Sequence, residues 1–353
     1  MTKQPSKKMK QIKTMEELST EIGVSRPTLS KYFADQSSVR ESMRVRIEKG
    51  LSEVDYVPNF FARNMNRRNT RIFGVVIPHA NDFYFMELLE EIEQRAKELD
   101  YSILIQNSHN DPQQELLAVE NFRSMNAEGI LVAPIGSEEN AEQFKRLQEQ
   151  VPMVFVNTKY PGLEKDFSFV GSDNQQSVRL MVDYLSRSGK PPIFLKMPSN
   201  TNSNGLEREA SYHARMAELG FDTEILSSEP QADNSNFEAY AYSLMKNLFA
   251  ENKYKDATIL CANDRLAMGV IRAANEASLF GESANQLDGL RVAGHDNHAL
   301  SSYVWPSLTT VSQDVQLIAR TAVDCLRDLT QDGPKPPVVE HLLQVQLQLR
   351  DSA

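Results

Sequence analysis

Arg26, Thr28 and Lys31 follow Ser25 in the stretch TMEELSTEIGVSRPTLSKYF, which begins at Thr14. Carried on one helix, a guanidinium and an ammonium at that spacing can reach guanine O6 and N7 in a major groove. Farther on, Arg63, Arg67, Arg68 and Arg71 are cations of the kind that neutralise phosphate. His295 and His298 form an HxxH pair around Asp296. That spacing suits a metal, but no third ligand is in view, so none is expected. Cys261 and Cys325 read as small core residues rather than a redox pair or a nucleophile. Enzyme chemistry finds little support: the chain lacks a GxGxxG or GxxxxGK phosphate loop and a GxSxG elbow, and nothing pairs its carboxylates for acid–base work. Neither an enzymatic activity nor a cofactor is expected.

Elements must position these side chains. Leu18 and Ile22 mark the apolar face of a first helix, and Gly23 allows a tight turn pinned by Val24. Ser25 is a good N-cap for a second helix, and Pro27 falls in its first turn, where a missing N–H costs nothing. That helix turns Arg26, Pro27, Thr28 and Lys31 outward and Leu29 with Tyr32 or Phe33 inward. A third helix over 40–53 closes a small core with Met43, Ile47 and Leu51. After a polar, basic stretch over 58–71, the pattern changes. Apolar runs from Phe73, Ser102, Gly129, Pro152 and Phe167 read as buried parallel strands, alternating with helices at 83–99, 113–125, 141–150 and 174–188. A second series has strands from Pro192, Thr223, Ala257 and Leu290 and helices at 204–219, 237–252, 265–278 and 314–330. Such alternation predicts a doubly wound α/β body, and two series predict two lobes around a cleft. The expected organisation is an all-α helix-turn-helix head over 1–57, a linker over 58–71 and the two-lobed α/β body over 72–353.

Charge separates the same parts. The whole chain carries −10, yet residues 1–72 hold 15 Lys+Arg against 8 Asp+Glu, and the remainder 23 against 40. A basic head on an acidic body is the asymmetry expected when one end touches nucleic acid. No apolar run approaches a membrane span, and the basic start lacks the apolar stretch of a secretory signal. A cytoplasmic, nucleoid-associated protein without a membrane partner is expected.

Several motifs occur in order: IGVSRPTLSKYF, YVPNFFARNMNRRNTRIFGVVIP, VGSDN at Val170, NGLEREASYHARM at Asn204, CANDRLAMGVIRA at Cys261, VAGHDNHALSSYVWPSLTTVSQD at Val292 and VQLQLRDS at Val345. Through them, residues 12–352 resemble the lactose-repressor/galactose-repressor family of bacterial transcription regulators. The resemblance implies a body like that of periplasmic sugar-binding proteins, with a ligand between the lobes, and a homodimer on a pseudo-palindromic operator. It implies DNA contacts from Ser25, Arg26, Pro27, Thr28 and Lys31. It also implies a hinge helix over 58–66 that enters the minor groove, bringing Asn59, Arg63, Met65 and Arg67 to DNA. Met65 stands where the family usually has a Leu wedge, and Ala34 where it usually has Asn. In the body, the implied effector contacts are Asp82, Tyr84, Phe85, Asn157, Arg208, Asn263 and Asp296. These are carboxylates and amides for hydroxyls, an arginine fork for oxygens, and aromatics for a ring face. The implied effector is a sugar or sugar derivative, acting by default as an inducer on a repressor. Phe83 replaces a frequent Pro and Ser211 a frequent Gly. Asp264, beside Asn263, reads as a helix cap rather than a ligand contact. The other reading, a cytosolic small-molecule binding protein with no DNA role, leaves the basic head unexplained.

Overall fold

A computed structural model describes residues 9–58, 70–198, 202–228, 236–280 and 289–353. Contacts divide the chain into two units, Met1–Thr70 and Arg71–Ala353.

The first unit holds helices α1 (Met15–Ile22), α2 (Arg26–Ala34) and α3 (Glu41–Ser52), with a short parallel pair of β1 (Lys10–Gln11) and β2 (Val54–Asp55). Thr14 starts α1 with a reciprocal cap. Its hydroxyl accepts from the Glu17 N–H at 3.1 Å, and the Glu17 carboxylate accepts from the Thr14 N–H at 3.3 Å. α1 ends at Gly23, whose φ of 63° would strain a residue with a Cβ. Arg46 secures the turn by donating to the Gly23 carbonyl at 2.9 Å. Leu18, Leu29 and Ile47 are fully buried with Val24 and Tyr32 around them, and Ile22, Phe33, Met43 and Leu51 pack half-buried against that core. Ser25 occupies the N-cap of α2, but its hydroxyl bonds Thr28 Oγ1 at 2.8 Å rather than a backbone N–H. Pro27 is the cause in part, since it has no N–H to offer.

The second unit runs β3 (Ile72–Ile77), α4 (Phe83–Glu98), β4 (Ser102–Asn107), α5 (Pro112–Ser124), β5 (Gly129–Val132), α6 (Ala141–Gln148), β6 (Met153–Val156), β7 (Ser168–Ser172) and α7 (Asn174–Ser188). It continues with β8 (Ile193–Leu195), α8 (Ser203–Leu219), β9 (Ile225–Leu226), α9 (Phe237–Ala250), β10 (Thr258–Cys261), α10 (Asp264–Glu276) and β11 (Arg291–Ala293). It closes with β12 (Thr310–Ser312), α11 (Val315–Thr330), β13 (Glu340–Leu343) and β14 (Gln346–Gln348).

A parallel sheet ordered β4-β3-β5-β6-β7-β13 builds the first lobe, and one ordered β9-β8-β10-β11 the second, while β12 and β14 pair antiparallel. β3, β5, β6 and β7 are buried along their whole length, as strands covered on both faces must be. α4 and α11 pack with Leu88, Ile92, Ile318 and Val323, and α5 and α6 bring Phe122 and Phe144 to a separate core. The second lobe closes around Met181, Tyr212, Met245 and Leu266 from α7 to α10. In both sheets the strand order reverses beside the first strand, between β3 and β5 and between β8 and β10. Loops leave a crevice at such reversals, outside the carboxyl ends of the strands.

The chain passes between the lobes at 172–174, 312–315 and 343–345. Asp173 N–H donates to the Leu343 carbonyl at 2.9 Å, and Ser172 Oγ donates to Gln313 Oε1 at 2.6 Å. These bonds tie the three passages to one another. Among the described residues no helix is long and apolar enough to cross a membrane.

Candidate functional site

Loops from the carboxyl ends of β3, β5, β6, β8, β10 and β11 line one cavity of about 100 Å³ between the lobes. That is several times the ~10–15 Å³ one water needs on the same measure, so the cavity admits a molecule of several heavy atoms. Asp82, Tyr84, Phe85, Asn157, Arg208, Asn263 and Asp296 all lie on its lining. Phe85 also belongs to the first lobe's buried core, so it acts more as wall than as handle.

Arg208 and Asp296 form the charged centre. Arg208, from α8, is 3% exposed and directs Nη2 at Asp296 Oδ1, 3.4 Å away. Its Nη1 donates to the Ala262 carbonyl at 2.7 Å and its Nε to Asn174 Oδ1 at 2.9 Å. Burial pushes the Asp296 carboxyl up, but Arg208 foremost, with His295 and Gln313, outweighs it and holds the group below the usual carboxylate range. His295 is the reverse case: burial, helped by Arg208, lowers its pKa to about 4. The neutral ring donates from Nδ1 to Asp296 Oδ1 at 2.7 Å, and its Nε2 is a buried acceptor without a partner. The Asp296 backbone has φ 117°, outside the comfortable range for a residue with a side chain. Asp296 N–H on the Val311 carbonyl at 2.9 Å holds it there.

Tyr84 brings a hydroxyl to the same centre. Its oxygen is buried with no partner, and burial, then the Asp296 charge, pushes its pKa up, so it remains a protonated donor. Asn263 is the N-cap of α10, accepting from the Leu266 N–H at 2.9 Å. The cap expected at Asp264 is therefore one residue earlier. Asp264, fully buried, instead accepts from Thr310 Oγ1 at 2.6 Å and from the His298 N–H at 2.7 Å, tying the loop after β11 to α10. Burial raises its pKa well above the ordinary value, and the Asp296 charge adds to this. Gly294 makes that junction possible, because a Cβ there would sit 2.1 Å from Asp264 Oδ1. His298 Nδ1 accepts from the Leu300 N–H at 3.1 Å. The described residues contain no metal-binding group of three or more His, Cys, Asp or Glu.

Residues 73–335 match the family of the periplasmic binding protein domain. The HTH-type transcriptional regulator PtxS of Pseudomonas aeruginosa is 28% identical over 203 residues, 57% of this chain and 58% of that protein. The chain thus spans less than two thirds of that relative's length. Catabolite control protein A of Priestia megaterium is 26% identical over 94% of this chain and 96% of its own. This chain belongs to the lactose-repressor/galactose-repressor family. Among solved structures, the Lac repressor bound to ONPG superposes with a TM-score of 0.80, at 22% identity, over 96% of this chain and 99% of that one.

In this family member, Arg265 and Gln313 were not anticipated in the sequence and both touch the cleft. Arg265 Nε and Nη2 donate to Glu238 at 2.7 and 2.8 Å, and Nη1 donates to Asp82 at 2.9 Å. Gln313, on the second passage between lobes, donates from Nε2 to Asp296 Oδ1 at 2.8 Å. Neither residue has a local signal, because each partner comes from a remote element. Phe83, where the family often has Pro, meets the His298 ring edge-on, with centroids 4.7 Å apart.

On the head, Ser25, Arg26, Pro27 and Lys31 are exposed and Thr28 is half-buried. α2 therefore offers two cations, Arg26 and Lys31, to solvent. Asn59, Arg63, Met65 and Arg67 lie outside the described residues.

Proposed function

We propose that this chain is a sequence-specific DNA-binding transcription regulator, a repressor, controlled by a small polar effector held between its lobes. One observation carries the reading: exposed cations on α2 of a folded helical head share a polypeptide with a cleft of carboxylates, amides and an arginine. The cations reach base edges and phosphate. The cleft suits a sugar or sugar derivative, whose hydroxyls take paired donors and acceptors. A homodimer on a pseudo-palindromic operator fits this reading. Tyr303 and Trp305, 85% and 73% exposed, are apolar surface that a second copy would cover. Control runs through Gln313, which bonds Asp296 in the site and Ser172 across the passages. A ligand that shifts Asp296 thereby loads the connection between lobes and biases one arrangement over another.

The test selects duplexes from a random pool and measures affinity by fluorescence anisotropy at two salt concentrations, with and without sugars. The reading expects strong sequence preference, a steep salt dependence and a shift in affinity with at least one sugar. Equal binding to every duplex would remove the DNA-reading role. Indifference to every ligand that raises the melting temperature would remove the control.

A further inference from the structure

We infer that the cleft takes an uncharged polyhydroxy ligand, or its protonated amino derivative, and rejects the phosphate and carboxylate forms of the same skeleton. This rests on the proposed effector role of the cleft. Among the described residues, and leaving imidazoles aside, the charged side chains on its lining are Asp82, Glu87, Asp296, Arg208 and Arg265. They sum to one negative charge, and Glu238, on the far side of Arg265, adds another.

Both arginines are already committed. Every guanidinium nitrogen of Arg208 donates, to Asn174, Ala262 and Asp296. Every one of Arg265 donates to Glu238 or Asp82. A phosphate or carboxylate needs a free guanidinium edge for a bidentate grip. Here each guanidinium already faces carboxylates, Asp296 for Arg208 and Asp82 with Glu238 for Arg265, so an added anion would meet those negative charges as well. Burial holds the His298 ring neutral, so it supplies no cation.

Three helices also start at the cleft, α4, α8 and α10, and helix N-termini attract anions. Each is already answered by an oxygen: Asp82 accepts from Tyr84 N–H, Asn202 from Gly205 N–H and Asn263 from Leu266 N–H. Besides Arg208 and Arg265 the described lining holds no further Lys or Arg, but it does offer neutral hydroxyls. The Tyr84 hydroxyl is buried without a partner and lies on the lining. The Ser203 hydroxyl, next in sequence to the lining residues Asn202 and Asn204, is also buried without a partner. Hydroxyls that both give and accept match the hydroxyls of a polyol.

Isothermal titration of the full chain with matched sets tests this: glucose, glucosamine, gluconate and glucose 6-phosphate, then ribose and ribose 5-phosphate. In the set that binds, the neutral or amino member should bind about hundred-fold tighter than its anionic forms, since like charges held together cost several kcal/mol. Glu238→Gln, which releases two nitrogens of Arg265, should raise the anion-to-neutral affinity ratio about tenfold, as should Asp82→Asn. An anionic member that binds more tightly than its neutral parent overturns the inference and leaves the effector role standing. A ratio unmoved in both variants overturns it too. Failure of every member to bind overturns the inference, while the effector reading then stands or falls on the ligands that raise the melting temperature.

Discussion

Arg265 Nη1 and Asp82 Oδ2 meet at 2.9 Å across the cleft, joining residues 183 positions apart. The pair lies at the start of α10 in one lobe and of α4 in the other. With Phe83 against His298 beside it, it bridges the two walls directly, without help from a ligand.

Asp82→Asn tests that bridge. Asn caps a helix as well as Asp does, so α4 keeps its start. The charge is lost from a pair whose side chains are only 19% and 14% exposed. A charge-assisted hydrogen bond of this kind contributes about 1.5–3 kcal/mol. Affinity for a neutral effector should therefore fall about ten- to hundred-fold, as read by calorimetry. Unchanged affinity would show that the bridge does not hold the lobes in the binding arrangement.

Glu115 predicts a pH signature. It is fully buried on α5 and accepts from the Ile135 N–H at 2.8 Å, next to a cleft loop. Burial pushes its carboxyl up from 4.5 to about 7, against the pull of Ile135 and Asn140. Between those two values the folded chain holds a proton that the unfolded chain has lost, so stability falls as pH rises. The loss is complete above about pH 7 and amounts to about 3 kcal/mol. Urea unfolding of wild type and Glu115→Gln at pH 5 and pH 8 should show near-equal stability at the lower pH. The variant should be ahead by about that amount at the higher one. A difference that does not change with pH would refute the assignment.

Arg26→Ala and Lys31→Ala should each cost about 1–3 kcal/mol on the preferred duplex and much less on a scrambled one. Competition binding with both duplexes gives the comparison. Equal losses on the two would make these cations phosphate contacts, with base reading done elsewhere.

The elements most legible in the sequence were those with both faces covered. β3, β5 and β6 are runs of apolar residues with every position buried, and such runs are hard to mistake. β13 escaped notice because it is an edge strand whose residues, Glu340–Leu343, alternate between exposed and half-buried. The β12 and β14 segments are three residues each and carry Thr, Ser and Gln, too short and polar to stand out. Arg208, Asn263 and Asp296 could be named early because each sits in a local motif at the end of an element. Arg265 and Gln313 could not, since Gln313 finds Ser172 141 positions away and Arg265 finds Asp82 farther still. Asp264 was misjudged because Asn and Asp cap helices equally well. Only the three-dimensional arrangement shows that Asn263 reaches Leu266 N–H while Asp264 is drawn toward Thr310 and His298.

The three passages between lobes also govern how this body comes into being. The first lobe needs β7, α11 and β13 in addition to the segment that begins at β3. The second needs Ser352, whose hydroxyl donates to the Val292 carbonyl at 2.6 Å and accepts from the Thr309 N–H at 2.8 Å. Neither lobe is a continuous stretch of polypeptide. A chain emerging from the ribosome can complete its helical head at once, from local contacts, but must keep most of both sheets waiting for residues beyond 310. Closing such long loops is slow, and the waiting strands are open to wrong partners. Because both lobes depend on the same late residues, neither lobe is complete, and the cleft between them has no finished walls, until the segment beyond residue 310 is in place.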